Sequence, residues 1–350
     1  MLPNNSGRRV VVKIGTTSLL TGGRPDLAKV DRLAEAAVRG VEAGFAPVLV
    51  TSGAIALGRA RHDGLSGGDP VTRQVAAAVG QGELYATIAA RFAARGLTTG
   101  QLLLTPRDMI GPPEPTGEFR RALDAMRALG VVPVANENDV LGVRNNDILA
   151  AVLTGYLGAE LLLLLTNVDG FYDGGARVRE ARLTSALEAA ARDSDGAGGT
   201  GGMLVKLCAC RIATHAGARV VIAGTADPGV LVGAALGEDV GTTFRPPPAR
   251  EDRPDLGRLW RAFHRPPTAT ITCTQDAVTA VDTAAPVRHG QVKAIEGTFR
   301  AGDVVDLVAS GSALVARGRV ACDSALVGVG HPPDAVLLPG ADYVKIMEDR

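Results

Sequence analysis

Four short segments carry residues whose types and spacing suit chemistry on an anionic substrate. The first is Lys13-Ile14-Gly15-Thr16-Thr17-Ser18, closing an apolar run. A lysine at a strand end supplies a cation, and the glycine lets main chain approach a ligand where a following helix start favours an anion. An ordinary strand-end lysine and turn would look the same, and the GxxxxGK[ST] spacing of a P-loop is absent. The second, Thr51-Ser52-Gly53-Ala54-Ile55-Ala56-Leu57-Gly58, again joins a strand to a helix through small residues. These leave room for a substrate and expose backbone N–H groups, or they serve close helix–sheet packing. Two such loops at the carboxyl ends of parallel strands favour a ligand.

The third segment is Asn136-Glu137-Asn138-Asp139, followed by Asn146-Asp147 at an expected helix start. Amides and carboxylates clustered on one loop can grip an amino acid by its ammonium and carboxylate groups, although turns and helix caps use the same residues. The fourth is Gly199-Thr200-Gly201-Gly202-Met203 with Lys206 beyond it. Glycine N–H groups folding over phosphates, with lysine as counter-charge, meet the needs of nucleotide binding. A glycine-rich linker is the plainer alternative. The histidines His62, His215, His264, His289 and His331 sit beside no nucleophile or carboxylate motif. Cys208, Cys210, Cys273 and Cys322 have neither metal-ligand spacing nor a disulfide framework, so no metal site is expected.

The elements that must position these segments alternate. Apolar runs at 10–14, 47–50, 100–104, 131–135, 161–166 and 219–223 read as buried strands, and 27–43, 71–92 and 119–129 as helices between them. The expectation is an α/β fold, a mostly parallel sheet sandwiched between helices. Proline and charge interrupt the pattern at RPPPAREDRPD, and short alternating strands follow from about residue 268, including a hairpin turning at Gly311-Ser312. The expected division is a domain over 1–245, a linker over 246–267 and a small β-rich domain over 268–350.

Composition narrows the partners. The 350 residues contain 37 Lys+Arg and 37 Asp+Glu, so no net field favours nucleic acid or an anionic membrane. Residues 268–350 hold 7 Lys/Arg against 10 Asp/Glu, without the basic footprint of RNA binding. The longest aliphatic run, 161–165, falls far short of the ~20 residues that span a bilayer. No secretory signal is visible, and a cytoplasmic location is expected.

The ordered motifs VVKIGTTSLLTGG, VTSGAIALG, QVAAAVGQGELYA, GQLLLT, VVPVANEND, LLLLLTNVDGFYD, GTGGMLVKL and AGARVVIAG resemble the amino acid kinase family over nearly the whole chain. KxGT at the first motif, with HGQVKAIEGTFRAGDVVDLV near the C-terminus, points to the branch that carries a PUA domain. The resemblance implies ATP-dependent phosphorylation of the glutamate side-chain carboxylate, the first step of proline synthesis. Mg2+ would be held mainly by the nucleotide phosphates. Lys13 and Lys206 would be catalytic, the first at the transferring phosphoryl group and the second at the nucleotide phosphates. Gly15, Thr166, Asn167, Thr200, Gly201, Gly202 and Met203 would also serve ATP. Thr16, Ser52, Gly53, Ala54, Asn136, Asp139, Asn146 and Asp147 would serve the amino acid substrate. A homodimer or homotetramer and a downstream acyl-phosphate reductase are implied as well. Departures are Asn167, where the family usually has an Asp thought to hold the two lysines, and Arg144-Asn145 in the usual GDND run. They admit a paralogue acting on another small carboxylate, or a non-catalytic amino acid sensor.

Overall fold

Val10, Val11, Val12 and Ile14 are at most 1% exposed, because the strand that carries them is covered on both faces. In this computed structural model, residues 7–142, 145–173, 175–194, 202–248, 253–311, 313–328 and 332–346 are described. Packing divides the chain into two compact units. One comprises Met1–Arg182 and Gly217–Pro248, the other Leu183–Ala216 and Ala249–Arg350.

The principal elements, in chain order, begin with β1 (Arg8–Ile14), α1 (Leu27–Glu42), β2 (Phe45–Val50), α2 (Ala54–Arg61), α3 (Pro70–Ala93) and β3 (Thr99–Leu104). Next come α4 (Pro113–Ala128), β4 (Val132–Glu137), α5 (Asn146–Leu157), β5 (Leu161–Thr166), α6 (Ser185–Ser194) and α7 (Met203–His215). Then follow β6 (Arg219–Gly224), α8 (Val230–Leu236), β7 (Gly241–Phe244), α9 (Leu256–Phe263), β8 (Ala269–Cys273) and α10 (Gln275–Asp282). The last are β9 (Val292–Gly297), β10 (Val304–Val308), β11 (Leu314–Arg319) and β12 (Tyr343–Lys345).

In the first unit one sheet has the order β7-β6-β5-β1-β2-β4-β3. Every neighbouring pair is parallel except β6 with β7. The chain leaves β1 toward β2 and later crosses to β5 on its other side. That makes the carboxyl end of β1 a topological switch point, where sheets of this kind leave a crevice. The expected mostly parallel α/β architecture is therefore present. Several element bounds shift by a residue or two, and two differ for a physical reason. Helix α4 starts at Pro113 rather than at 119, since proline in a first turn forfeits no hydrogen bond the helix would make. Strand β4 runs through Asn136 and Glu137, which pair with Leu103 and Leu104, although polar side chains end the apolar run at 135.

In the second unit a five-stranded sheet has the order β9-β8-β10-β11-β12, with β10 and β11 forming the expected antiparallel hairpin. Its core includes Ile271, Leu307, Ala316 and Tyr343. Helices α6 and α7 pack with this unit, and the units also divide after Pro248, close to residue 245. The segment expected as linker also holds α9, capped by Asp255, which accepts from the Arg258 N–H at 2.9 Å. Leu259, Ala262 and Phe263, spaced three and one apart, form its buried face. Among the described residues no helix is long and apolar enough to cross a membrane.

Candidate active site

Lys13 is the last residue but one of β1, and it is only 7% exposed. An unpaired ammonium there would be costly. Its Nζ lies 2.8 Å from Oδ1 of Asp147, itself 1% exposed. Asp147 stands in the first turn of α5, where the helix dipole favours a carboxylate. Asn145 caps that turn by accepting from the Asp147 N–H at 2.8 Å. The family's usual lysine-holding position does not supply the partner: Asn167 is exposed, with its Oδ1 taking the Thr166 hydroxyl at 3.1 Å.

Strand register gathers the other expected residues of this unit around the switch point. Lys13 pairs across to Val50, Val50 to Ala135, and Ile14 to Leu165. The residues that follow, Gly15, Thr51-Ser52, Asn136 and Thr166, therefore emerge side by side at strand spacing, about 4.8 Å. The Thr51 N–H donates to the Ala135 carbonyl at 2.8 Å, tying two of these ends together, and Gly15 N–H donates to Leu165 O at 3.2 Å. Gly15 has φ −71° and a Cβ there would only touch Leu165 O at 3.6 Å. The chain itself therefore makes no demand for glycine at that position. Gly53 differs, since its φ of 122° does require one. Ser52 and Thr16 are half-buried, and Ala54 is buried at the start of α2.

The amide and acid loop is tightly tied. Asn136, 2% exposed, gives its amide to Gln81 Oε1 at 2.7 Å. Asn146 Oδ1 accepts from the Glu137 N–H at 3.0 Å, joining the end of β4 to the start of α5. Asn136 and Asn146 thus shape the loop as well as facing the crevice end of the sheet. Asp139 is 8% exposed, and burial, only partly opposed by the Arg73 cation, pushes its carboxyl up to about 6. A carboxylate short of a fixed cation suits recognition of a substrate ammonium.

In the second unit Gly202 occupies the N-cap position of α7 in extended conformation. Met203 and Lys206 are half-buried in that turn and the next. Thr200 and Gly201 lie outside the described residues. Cys208 and Cys210, on the same helix, are fully buried, and burial pushes the Cys208 thiol up to about 12, leaving it inert.

Sequence reasoning missed two features. Gln81 lies half-buried on the same helical face as Ala77 and Leu84, a polar residue on a core-facing stripe that could have signalled its role. The other is the crossing of α2 and α3, where a Cβ on Gly58 would stand 1.8 Å from Ala76 O and one on Gly80 2.0 Å from Ala54 O. The end of the Thr51–Gly58 segment thus does serve close packing, but of helix on helix rather than helix on sheet, and this seats Ser52 to Ala54.

The profile of the amino acid kinase family matches residues 8–224, and that of the PUA domain residues 269–327. A glutamate 5-kinase of Nocardia farcinica is 38% identical over 335 residues, covering 91% of this chain and 89% of that protein. One of Mycobacterium tuberculosis is 39% identical over 357 residues, covering 96% and 91%. Among solved structures, carbamate kinase from Giardia lamblia bound to AMP-PNP superposes with a TM-score of 0.51 at 18% identity, over 69% of this chain and 100% of that one. That likeness concerns the fold. Motif order, sheet topology and identity along almost the full length agree, and the chain belongs to the amino acid kinase family, in the glutamate 5-kinase group that carries a C-terminal PUA domain.

Proposed function

We propose that the protein transfers the γ-phosphoryl group of ATP to the side-chain carboxylate of glutamate, giving γ-glutamyl phosphate for proline synthesis. The observation that carries the reading is the buried Lys13–Asp147 pair at the switch point, beside the amide and acid loop. A carboxylate is already ionised at neutral pH, so the nucleophile needs no general base. The difficulty lies in bringing two anions together and stabilising charge on the group in flight. Lys13, held by Asp147, offers its ammonium to the transferring phosphoryl group. Gly15, Thr16 and Ser52 to Ala54 line the reaction centre, and Asp139 takes the substrate ammonium. Asn136, Asn146 and Asp147 hold the loop that receives the amino acid. Thr166 and Asn167 serve the nucleotide, and Gly202, Met203 and Lys206 its phosphates.

Among the described residues no group of three or more His, Cys, Asp or Glu is arranged to hold a metal ion. On this reading Mg2+ is carried by the nucleotide's own phosphate oxygens, where it would supply charge neutralisation. The reading keeps 1–245 as the kinase body and 268–350 as the PUA-like domain, in a cytoplasmic homo-oligomer. Because an acyl phosphate is short-lived, a reductase or another acceptor enzyme must consume it.

The test is an assay with ATP, Mg2+ and hydroxylamine as trap, across glutamate, aspartate and acetylglutamate. Hydroxamate formed best from glutamate is the expected outcome. Preference for another acid would replace the substrate assignment, and calorimetric binding of glutamate without turnover would replace the kinase by a sensor.

A further inference from the structure

Buried charge in the second unit is concentrated at one place. Glu188 on α6, Arg211 on α7 and Arg317 on β11 are each at most 3% exposed. Arg211 Nε donates to Glu188 Oε1, and Arg317 Nη2 donates to Glu188 Oε2 at 2.5 Å. Arg317 also grips Asp306 on β10 with two bonds, Nε to Oδ1 at 2.6 Å and Nη2 to Oδ2 at 3.0 Å. Its guanidinium lies 6.0 Å from the ring centroid of Phe263 on α9. Burial works against these charges. Yet Arg317 and Arg211 hold the Glu188 carboxyl below the usual range, and Asp306 and Glu188 hold Arg317 above its own.

Such a network is a poor source of stability, because well-packed apolar side chains of similar volume often do as well or better. Arg317 Nη1 has no hydrogen-bond partner among the described residues, which adds to the cost. What paired guanidinium and carboxylate planes supply is direction. The two oxygens of Glu188 are divided between an arginine of its own helical hairpin and one of the β-sheet. The α6–α7 hairpin is thereby fixed in one orientation on β10 and β11. Lys206 sits on α7 five residues before Arg211, roughly 7.5 Å along the helix axis.

We propose that Arg317 is a positioning residue for the nucleotide: through Glu188 and Arg211 a strand of the PUA-like sheet sets the placement of α7, and with it Lys206 and the amide end at Gly202. The inference rests on the reading of Lys206 and Gly202 as phosphate-binding groups. It makes nucleotide affinity depend on a side chain that touches neither substrate.

The test uses the full chain. Affinity for a non-hydrolysable ATP analogue is measured by calorimetry, amide hydrogen exchange over Met203–His215 by mass spectrometry, and the KM for glutamate by turnover. Arg317→Met should weaken the analogue about tenfold, a coupling of ordinary size, and speed exchange over the helix while glutamate KM changes less than about twofold. Arg317→Lys should recover part of the affinity. An Arg317→Met protein with unchanged analogue affinity overturns the proposal, as does one that only loses active fraction and melting temperature. Should Arg317→Met fail to fold, Asp306→Asn keeps the Arg317–Glu188 bond but frees the arginine to shift. It should weaken the analogue about threefold, and no change would overturn the idea equally. Lys206→Met, run in parallel, separates the two layers. No effect there refutes the phosphate-binding reading, whereas a large effect beside a silent Arg317→Met refutes the coupling alone.

Discussion

At the scale of the residue, the Lys13–Asp147 pair makes structural and chemical roles separable. Removing either partner leaves a buried charge uncompensated, which costs about 3–5 kcal/mol, whereas removing both leaves none. Lys13→Met alone should therefore lose both turnover and stability. Adding Asp147→Asn should restore much of the melting temperature without restoring turnover, and thermal unfolding beside the hydroxamate assay checks both. A double variant that phosphorylates glutamate would end the catalytic assignment of Lys13. The lysine and the acid were each legible in the sequence, but their pairing was not. They stand on different elements 134 positions apart, and local patterning carries no information about which distant side chain neutralises which. Nor did the sequence show that Asn136 spends its amide on Gln81, since an asparagine after a strand reads the same whether it faces a ligand or a neighbour.

At the scale of the element, strands were the easiest to read. Runs such as 161–165 are apolar throughout because helices cover both faces of the sheet. Bounds failed where side-chain polarity and backbone pairing disagree, as in β4, or where proline opens a helix, as in α4. The α2–α3 crossing tests what the glycines contribute. Gly80→Ala forces a Cβ against the main chain of Ala54 and Gly58 and should destabilise by about 1–3 kcal/mol or more. Because α2 begins just beyond Ser52, the same change should raise the KM for glutamate. Gly82, two residues on, has nothing within 4 Å of its would-be Cβ. Gly82→Ala should be neutral or gain up to about 1 kcal/mol, as alanine does over glycine within a helix. Equal losses in the two variants would refute the close-contact account.

At the scale of the whole molecule, mild acid acts on the two units with opposite sign. Burial, with the Arg265 and Arg319 cations, lowers His264 to about 4. Its contribution to the second unit is present above the unfolded value near 6.5 and is lost as pH falls toward 4, roughly 1–2 kcal/mol by pH 5. Asp139, raised to about 6, has the reverse effect, since protonation favours the folded first unit as pH falls from 6 toward 3.8. Carboxylates held low, such as Asp31 and Glu188, add their losses only below their ordinary values of 3.8 and 4.5, and so below pH 5. Hydrogen exchange at pH 7 and pH 5 should show the second unit opening more readily in acid while the first does not. His264→Phe should remove that dependence, and its persistence would exclude His264 as the cause. The two-unit division itself was only half visible. Proline and charge mark the passage after 245, but nothing local shows α6 and α7 joining residues that follow them much later in the chain.

That discontinuity sets a timetable for a chain emerging from the ribosome. Arg211 is made roughly a hundred residues before Asp306 and Arg317, which at about 5–20 residues per second is a wait of roughly 5–20 s. Once Phe244 is made, still about sixty residues before Asp306, the seven-stranded sheet has all its strands, whereas Glu188 and Arg211 lack the side chains that complete their network. If Arg317 positions Lys206, the nascent protein can assemble its amino acid crevice early but acquires its grip on nucleotide only when synthesis is nearly complete. An unfinished chain would then hold ATP about tenfold more weakly than the finished one.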